Sequence, residues 1–281
     1  MSADPALQLR HRLVASAVHG PTARRPSESI VIQKKPSTPK IGCWLAAPDT
    51  VFIEIAADLG YDMLVLDVEH GTLSLADLDR LIPLARALGL QVLVKVTGPQ
   101  GEAIQQALDF GAHGVVIPHI GDIGHARTVC AASKYPLLGT RSYAGARSVR
   151  YGVPDDAYFE RDNRETLCFP MVETADALRD LEAILALPMV DGVFVGPSDL
   201  SLTRGRGRYR FTDADRDDLR LVARLCADVG KPWIMPAWRD AERAFAASAG
   251  AASLIVAEQQ AALHDGLSAH LLSARSTGLR T

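Results

Sequence analysis

Tyr61-Asp62-Met63-Leu64-Val65-Leu66-Asp67-Val68-Glu69-His70-Gly71 is an apolar run that ends abruptly in three ionisable side chains. Residues 63–66 have the length and continuous apolarity of a parallel strand covered on both faces. After Gly71, the segment Ser74-Leu75-Ala76-Asp77 has the spacing of a capping box and predicts a helix start. Asp67, Glu69 and His70 therefore gather at the carboxyl end of a buried strand, the edge at which parallel α/β folds bind ligands. Taken alone, the same residues also suit a plainer role, with Asp67 and Glu69 capping amides and His70 a solvated loop residue.

The same alternation extends outward from this strand. Strand-like runs fall at 41–45, 63–67, 91–96, 114–118, 167–172, 192–195, 232–235 and 253–256, eight in all. Helical patterns lie between them at 50–59, 75–88, 101–110, 123–132, 174–185, 213–229 and 241–249. Several are followed by a glycine suited to closing a helix: Gly60, Gly89, Gly111, Gly230 and Gly250. Eight βα repeats in about 240 residues predict an α/β fold of the (β/α)8 TIM-barrel type. No glycine-rich nucleotide fingerprint follows a strand, which argues against an open dinucleotide-binding sheet.

The 281 residues, 48% of them hydrophobic, suit one large core. A net charge of −3, with no aromatic-interleaved basic stripe, excludes a general nucleic-acid surface. No apolar run approaches the ~18–20 residues of a membrane span, and the first residues lack a leader-like apolar segment, so a cytoplasmic protein is expected. Cys43, Cys130, Cys168 and Cys226 stand too far apart for a zinc spacing and are expected as buried thiols. Residues 1–38 are rich in Arg, Lys and Pro and predict a flexible basic arm ahead of a catalytic barrel at 39–281.

In a barrel the strand ends converge on one pocket. Strand two contributes Asp67, Glu69 and His70, strand three Lys95, strand four His119, strand five Glu173, and strand six runs into Gly196-Pro197-Ser198-Asp199. Glu173 and Asp199 end adjacent strands, about 4.8 Å apart, and two such carboxylates can share a hard cation with water and a chelating substrate. Each also suits an ordinary place in the first turn of a helix.

Several stretches resemble the HpcH/HpaI aldolase and citrate lyase family, in order and with suitable spacing: Asp67-Val68-Glu69-His70, Leu108-Asp109-Phe110-Gly111-Ala112, Tyr135-Pro136-Leu137-Leu138-Gly139-Thr140-Arg141, Met171-Val172-Glu173 and Gly192-Val193-Phe194-Val195-Gly196-Pro197-Ser198-Asp199-Leu200-Ser201. The resemblance covers about residues 41–263. It implies a modified TIM barrel of the phosphoenolpyruvate/pyruvate-binding type, often a homo-oligomer that exchanges its last helix. It further implies a divalent metal (Mg²⁺, Mn²⁺ or Co²⁺) and a 2-oxo acid, pyruvate or oxaloacetate, with an aldehyde or acyl-CoA co-substrate.

Carried over residue by residue, the resemblance makes Glu173 and Asp199 the metal ligands and His70 the general acid or base. Asp109 supports the histidine, Asp67 lies near the metal waters, and the Ser198 amide meets the substrate carboxylate. Three positions depart from the family pattern. Lys95 stands where much of the family has arginine, keeping the charge without the planar fork. Met171 replaces a glutamine. His119 resembles members specialised for oxaloacetate, among them macrophomate synthase and siderophore citrate synthases. His119 or Arg141 is then expected to bind a second substrate carboxylate. The expected function is a metal-dependent aldolase or lyase working through a 2-oxo acid enolate. The alternatives are a citrate synthase-like condensation of oxaloacetate with acetyl-CoA and a non-catalytic 2-oxo acid-binding barrel.

Overall fold

The computed structural model describes residues 38–276, so the arm expected at residues 1–38 lies almost wholly outside the described residues. Eight parallel strands close into a barrel in sequence order. They are β1 (Lys40–Leu45), β2 (Met63–Asp67), β3 (Gln91–Lys95), β4 (Gly114–Ile117), β5 (Leu167–Val172), β6 (Val193–Val195), β7 (Trp233–Pro236) and β8 (Ser253–Glu258). Every strand falls within two residues of its predicted limits. The helices α1 (Thr50–Asp58), α2 (Leu75–Ala87), α3 (Gly101–Asp109), α4 (Ile123–Ala131), α5 (Tyr158–Glu165), α6 (Ala175–Arg179), α7 (Leu181–Leu185), α8 (Pro197–Thr203), α9 (Asp213–Val229), α10 (Asp240–Ser248) and α11 (Gln259–Ser276) follow or connect them.

Local chemistry sets the helix limits. Ser74 and Thr212 form capping boxes with Asp77 and Asp215 at the starts of α2 and α9. Gly230, at φ 66°, closes α9 by donating its N–H to the carbonyls of Cys226 and Ala227. The helix expected at 174–185 is two short helices, because Asp180 turns out of the helical path between α6 and α7. Its carboxylate accepts from the Ile123 N–H and from Arg179 Nε.

The barrel interior is packed by Met63, Val65, Leu93, Val116, Phe169, Met171, Phe194, Ile234 and Ile255. Side chains alternate across a strand, so the next inward positions beyond Val65, Leu93 and Met171 are Asp67, Lys95 and Glu173. The same period that fills the core thus delivers charged groups to its upper rim. Two further clusters of buried apolar residues fill the space between sheet and helices. All four cysteines are buried, as expected, and no helix among the described residues is long and apolar enough to cross a membrane.

Candidate active site

Lys95 is the buried centre of the rim. Its side chain is 4% exposed, in ion-pair contact with Glu69 Oε2 and 3.9 Å from Asp67 Oδ1. The ammonium also lies 5.9 Å from the centre of the Trp44 ring. Asp67 is held from two sides, accepting from Trp44 Nε1 at 3.0 Å and from the His70 N–H at 3.1 Å. These bonds satisfy its oxygens and fix the turn that carries His70.

Glu69 joins Lys95 to two imidazoles. Besides Lys95, it meets His119 Nε2 at 2.5 Å and His70 Nε2 at 3.6 Å. Both imidazoles are 63% exposed, so their rings face the opening while Glu69 beneath them is buried. His119 adopts a left-handed backbone, φ 58°, just beyond β4. That conformation turns its N–H onto Glu173 Oε1 at 2.6 Å, and its Nδ1 lies 3.9 Å from the same oxygen.

Glu173 is 3% exposed. Burial pushes its carboxyl above the usual carboxylate range; the His119 amide and Lys95 pull it back, and the charge of Asp199 pushes it up again. Gly196 leaves the room this carboxylate occupies, since a Cβ there would stand 2.8 Å from Glu173 Cβ and Oε2. Asp199 projects from the first turn of α8, two residues beyond Pro197.

Among the described residues no group of three or more His, Cys, Asp or Glu is arranged to hold a metal ion. The Glu173–Asp199 pair nevertheless fits a hard divalent cation whose other positions go to water and substrate. Glu173, raised chiefly by burial and further by the charge of Asp199, would be stabilised by a cation between the two carboxylates.

His70, Lys95 and Asp199 open onto a cavity of about 180 Å³, whose lining also includes Trp44, Met171 and Ser198. Trp238 and Glu258 complete its wall. Of the residues singled out from sequence, Asp67, His70, Lys95, His119, Glu173, Ser198 and Asp199 come together at this end of the barrel. Arg141 and Asp109 come together with each other instead. Arg141 Nη2 lies 2.8 Å from Asp109 Oδ1, its Nη1 3.2 Å from Asp162 Oδ2, and its guanidinium 4.6 Å from the Tyr135 ring centre. Neither Arg141 nor Asp109 lines the cavity.

The sequence had placed Glu69 in the strand-end cluster, with amide capping as its plainer role and no catalytic one. Its position two residues beyond inward-facing Asp67 was the available signal. Trp44 carried a similar signal, two residues beyond inward-facing Gly42, whereas Glu258 was hidden by an expected strand end at 256.

A model of the HpcH/HpaI aldolase/citrate lyase family matches residues 40–224. A 2-dehydro-3,6-dideoxy-6-sulfogluconate aldolase from Pseudomonas putida is 35% identical over 173 residues, covering 61% of this chain and 67% of the relative. A 4-hydroxy-2-oxovalerate aldolase from Novosphingobium aromaticivorans is 34% identical over 195 residues, 69% of this chain and 74% of its own. The crystal structure of an HpcH/HpaI aldolase from Desulfitobacterium hafniense DCB-2 superposes with a TM-score of 0.79 at 25% identity, over 85% of this chain and 93% of that one.

Proposed function

The chain belongs to the HpcH/HpaI aldolase/citrate lyase family, as an enzyme of the carbon–carbon lyase class, and from this we propose a divalent-metal-dependent aldolase acting through the enolate of a 2-oxo acid. The observation that carries the proposal is a buried cation, Lys95, set among carboxylates on the floor of a cavity sized for a small acid. Glu173 and Asp199 would hold Mg²⁺, Mn²⁺ or Co²⁺. Bound there, the cation supplies Lewis-acid polarisation of the ketone oxygen.

The protein's own groups do the rest. Lys95 places a fixed positive charge where the enolate develops, in a site whose preorganised groups need no rearrangement during the reaction. His70, exposed beside the opening and oriented by the Asp67–amide bond, moves a proton at the methyl or hydroxyl end of the substrate. The Ser198 amide, in the first turn of α8, receives the 2-oxo acid carboxylate. Trp44, Phe194 and Trp238 supply apolar walls that exclude water from the enolate. Asp109 is assigned a positioning role through Arg141, its partner, rather than contact with His70.

Pyruvate is favoured over oxaloacetate as the enolate-forming substrate. His119 turns one ring nitrogen to Glu69 and the other to Glu173, and Arg141 is held by two aspartates. Neither presents a free cation to a second substrate carboxylate. A homo-oligomer is supported by α11, whose Leu263, Leu267, Leu271 and Leu272 are exposed while Gln259 is its one described buried residue.

Exchange of pyruvate methyl protons with solvent, followed by NMR, tests the proposal. It should require added Mn²⁺ or Mg²⁺, disappear with chelator, and fall at least a hundredfold in His70→Asn. Exchange at full rate in metal-free protein would exclude the mechanism. Dissociation constants for pyruvate and oxaloacetate should keep the same ratio in His119→Ala, and a changed ratio would restore the dicarboxylate assignment.

A further inference from the structure

Away from the catalytic cavity, three arginines converge on a second one of about 260 Å³. It is lined by Pro83 and Arg86 of α2 and by Arg147, Ser148 and Arg150 of a short 3₁₀ helix, Arg147–Val149, and its closing residue. It shares no residue with the catalytic cavity. Arg86 stands in the last turn of α2, ahead of β3, and Gly111 follows α3, ahead of β4. The cluster therefore lies towards the amino-terminal ends of the strands, opposite the catalytic rim.

Gly111 brings two of the guanidiniums together. Its carbonyl accepts from Arg86 Nη1, and the Phe110 carbonyl accepts from Arg147 Nη1 at 3.3 Å, so both arginines use carbonyls left open at the end of α3. A Cβ at Gly111 would stand 3.3 Å from Arg147 Cδ and 3.4 Å from Arg86 Nη1. Arg147 also pairs with Asp79, its Nη2 2.7 Å from Oδ1. Helix capping and this ion pair give Arg86 and Arg147 an ordinary structural reason to be here.

Neither reason extends to Arg150. Arg150 and Tyr151 are consecutive left-handed residues, at φ 53° and 60°. The reversal sets Tyr151 Oη to accept from Arg147 Nε at 3.3 Å and leaves Arg150 on the cavity wall. Among the described residues no hydrogen bond or ion pair holds its guanidinium. Its charge bears instead on Arg86, whose pKa is lowered first by burial and then by Arg150. Three guanidiniums thus face the single carboxylate of Asp79, leaving an excess of two positive charges in a concave site.

We propose that this cavity binds a phosphate group, as the free ion or as the end of a phosphorylated metabolite, between Arg86, Arg147 and Arg150. A phosphate monoester carries about 1.5–2 negative charges near neutral pH, which matches the excess. Its oxygens suit the planar donor fork of arginine. The volume lies below the roughly 300 Å³ at which pockets for drug-sized ligands begin, so it suits one such group rather than a whole cofactor. A ligand here ties the end of α2 to the turn beyond the Arg141 segment without touching the catalytic groups. The site stands independently of the aldolase assignment.

Calorimetric titration of the full chain with inorganic phosphate and with glycerol 3-phosphate tests the site, near neutral pH and at constant ionic strength. Chelator is present throughout, so that no metal at Glu173 and Asp199 competes for the ligand. Wild type should bind saturably, Arg150→Ala should bind about ten- to hundredfold more weakly, and Arg150→Lys should recover part of the loss. Tighter binding of the ester would assign a phosphorylated metabolite, and equal or weaker binding the free ion. No saturable binding of either in wild type, or the same Kd in Arg150→Ala, would overturn the proposal.

Urea unfolding separates ligand binding from a role in the fold. Without phosphate, Arg150→Ala should be at least as stable as wild type, because a repulsion with Arg86 is removed and no bond is lost. With phosphate, the wild-type midpoint should rise and that of Arg150→Ala should not. A lower midpoint for Arg150→Ala in phosphate-free buffer, or an oligomer that Arg150→Glu dissociates in light scattering, would make Arg150 a structural or subunit contact and overturn the site.

Discussion

Replacing Lys95 by methionine separates the two jobs of this buried cation. With Lys95 and Glu69 only 4% and 8% exposed, loss of one partner strands a carboxylate away from water, a change that costs roughly 3–5 kcal/mol in buried pairs. His119, 2.5 Å from the other Glu69 oxygen, offsets part of the loss, so the lower end, about 3 kcal/mol, is expected. Catalysis should fall further than stability implies, because removing one preorganised donor from a developing oxyanion typically costs about 10²–10³ in rate. Urea denaturation and pyruvate proton exchange measure the two effects on the same preparations. Adding Glu69→Gln to Lys95→Met removes the stranded charge and should recover most of the stability, because the two side chains are in direct contact and their effects do not add. It should not recover exchange, whereas Lys95→Arg alone should keep substantial activity. If the double variant regains exchange along with stability, Lys95 is a charge partner for Glu69 and has no part in stabilising the enolate.

His113 accepts a hydrogen bond from the Val92 N–H at 2.9 Å, and burial, then Arg86 and Lys40, hold its pKa down to about 3. The folded protein therefore binds this proton less readily than the unfolded chain, and stability is lost as pH falls from about 6.5 towards 3, by up to about 1.4 kcal/mol per pH unit. Urea midpoints of His113→Gln should fall less steeply across that window than those of wild type, and parallel curves would contradict the linkage. At Gly196, substitution by alanine would place a Cβ 2.8 Å from Glu173 Cβ and Oε2, so Mn²⁺ affinity measured by calorimetry should drop by about tenfold or more. An unchanged affinity would remove Glu173 from the ligand set. Light scattering should show an oligomer that Leu263→Glu/Leu267→Glu/Leu271→Glu dissociates without loss of helical signal, and a wild-type monomer would refute the assignment of α11 to a subunit contact.

The barrel was legible because strands buried on both faces leave continuous apolar runs, and because capping residues such as Ser74 and Gly230 mark helix ends, so that α9 closes where expected. The helices α5 and α11 left no periodic pattern, and of α8 only the start, with Asp199 in its first turn, was legible. The first is polar with one buried residue, Tyr158; the second has its leucines turned outward; and the third has only seven residues. In the site, Asp67, Lys95 and Glu173 announced themselves because strand periodicity carries them inward. The pairing of Lys95 with Glu69, and of Arg141 with Asp109 across 32 residues, depends on how separate loops return over the barrel. Arg141 is drawn back by its N–H to the Lys134 carbonyl, a contact for which no local pattern gives warning.

The left-handed backbone at His119 also constrains how this site can evolve. The N–H that anchors Glu173 belongs to the main chain, so it survives every substitution except proline, while the imbalance of sterics at φ 58° favours glycine, asparagine and aspartate over branched residues. A lineage can therefore discard the imidazole through Gly or Asn and keep the carboxylate anchored, whereas a step to Val or Ile strains the loop and the anchor together. Alanine, the usual probe, mixes the loss of a side chain with about 1 kcal/mol of backbone cost. Glycine and asparagine are the replacements through which natural variation at this position can proceed one mutation at a time without first surrendering the site.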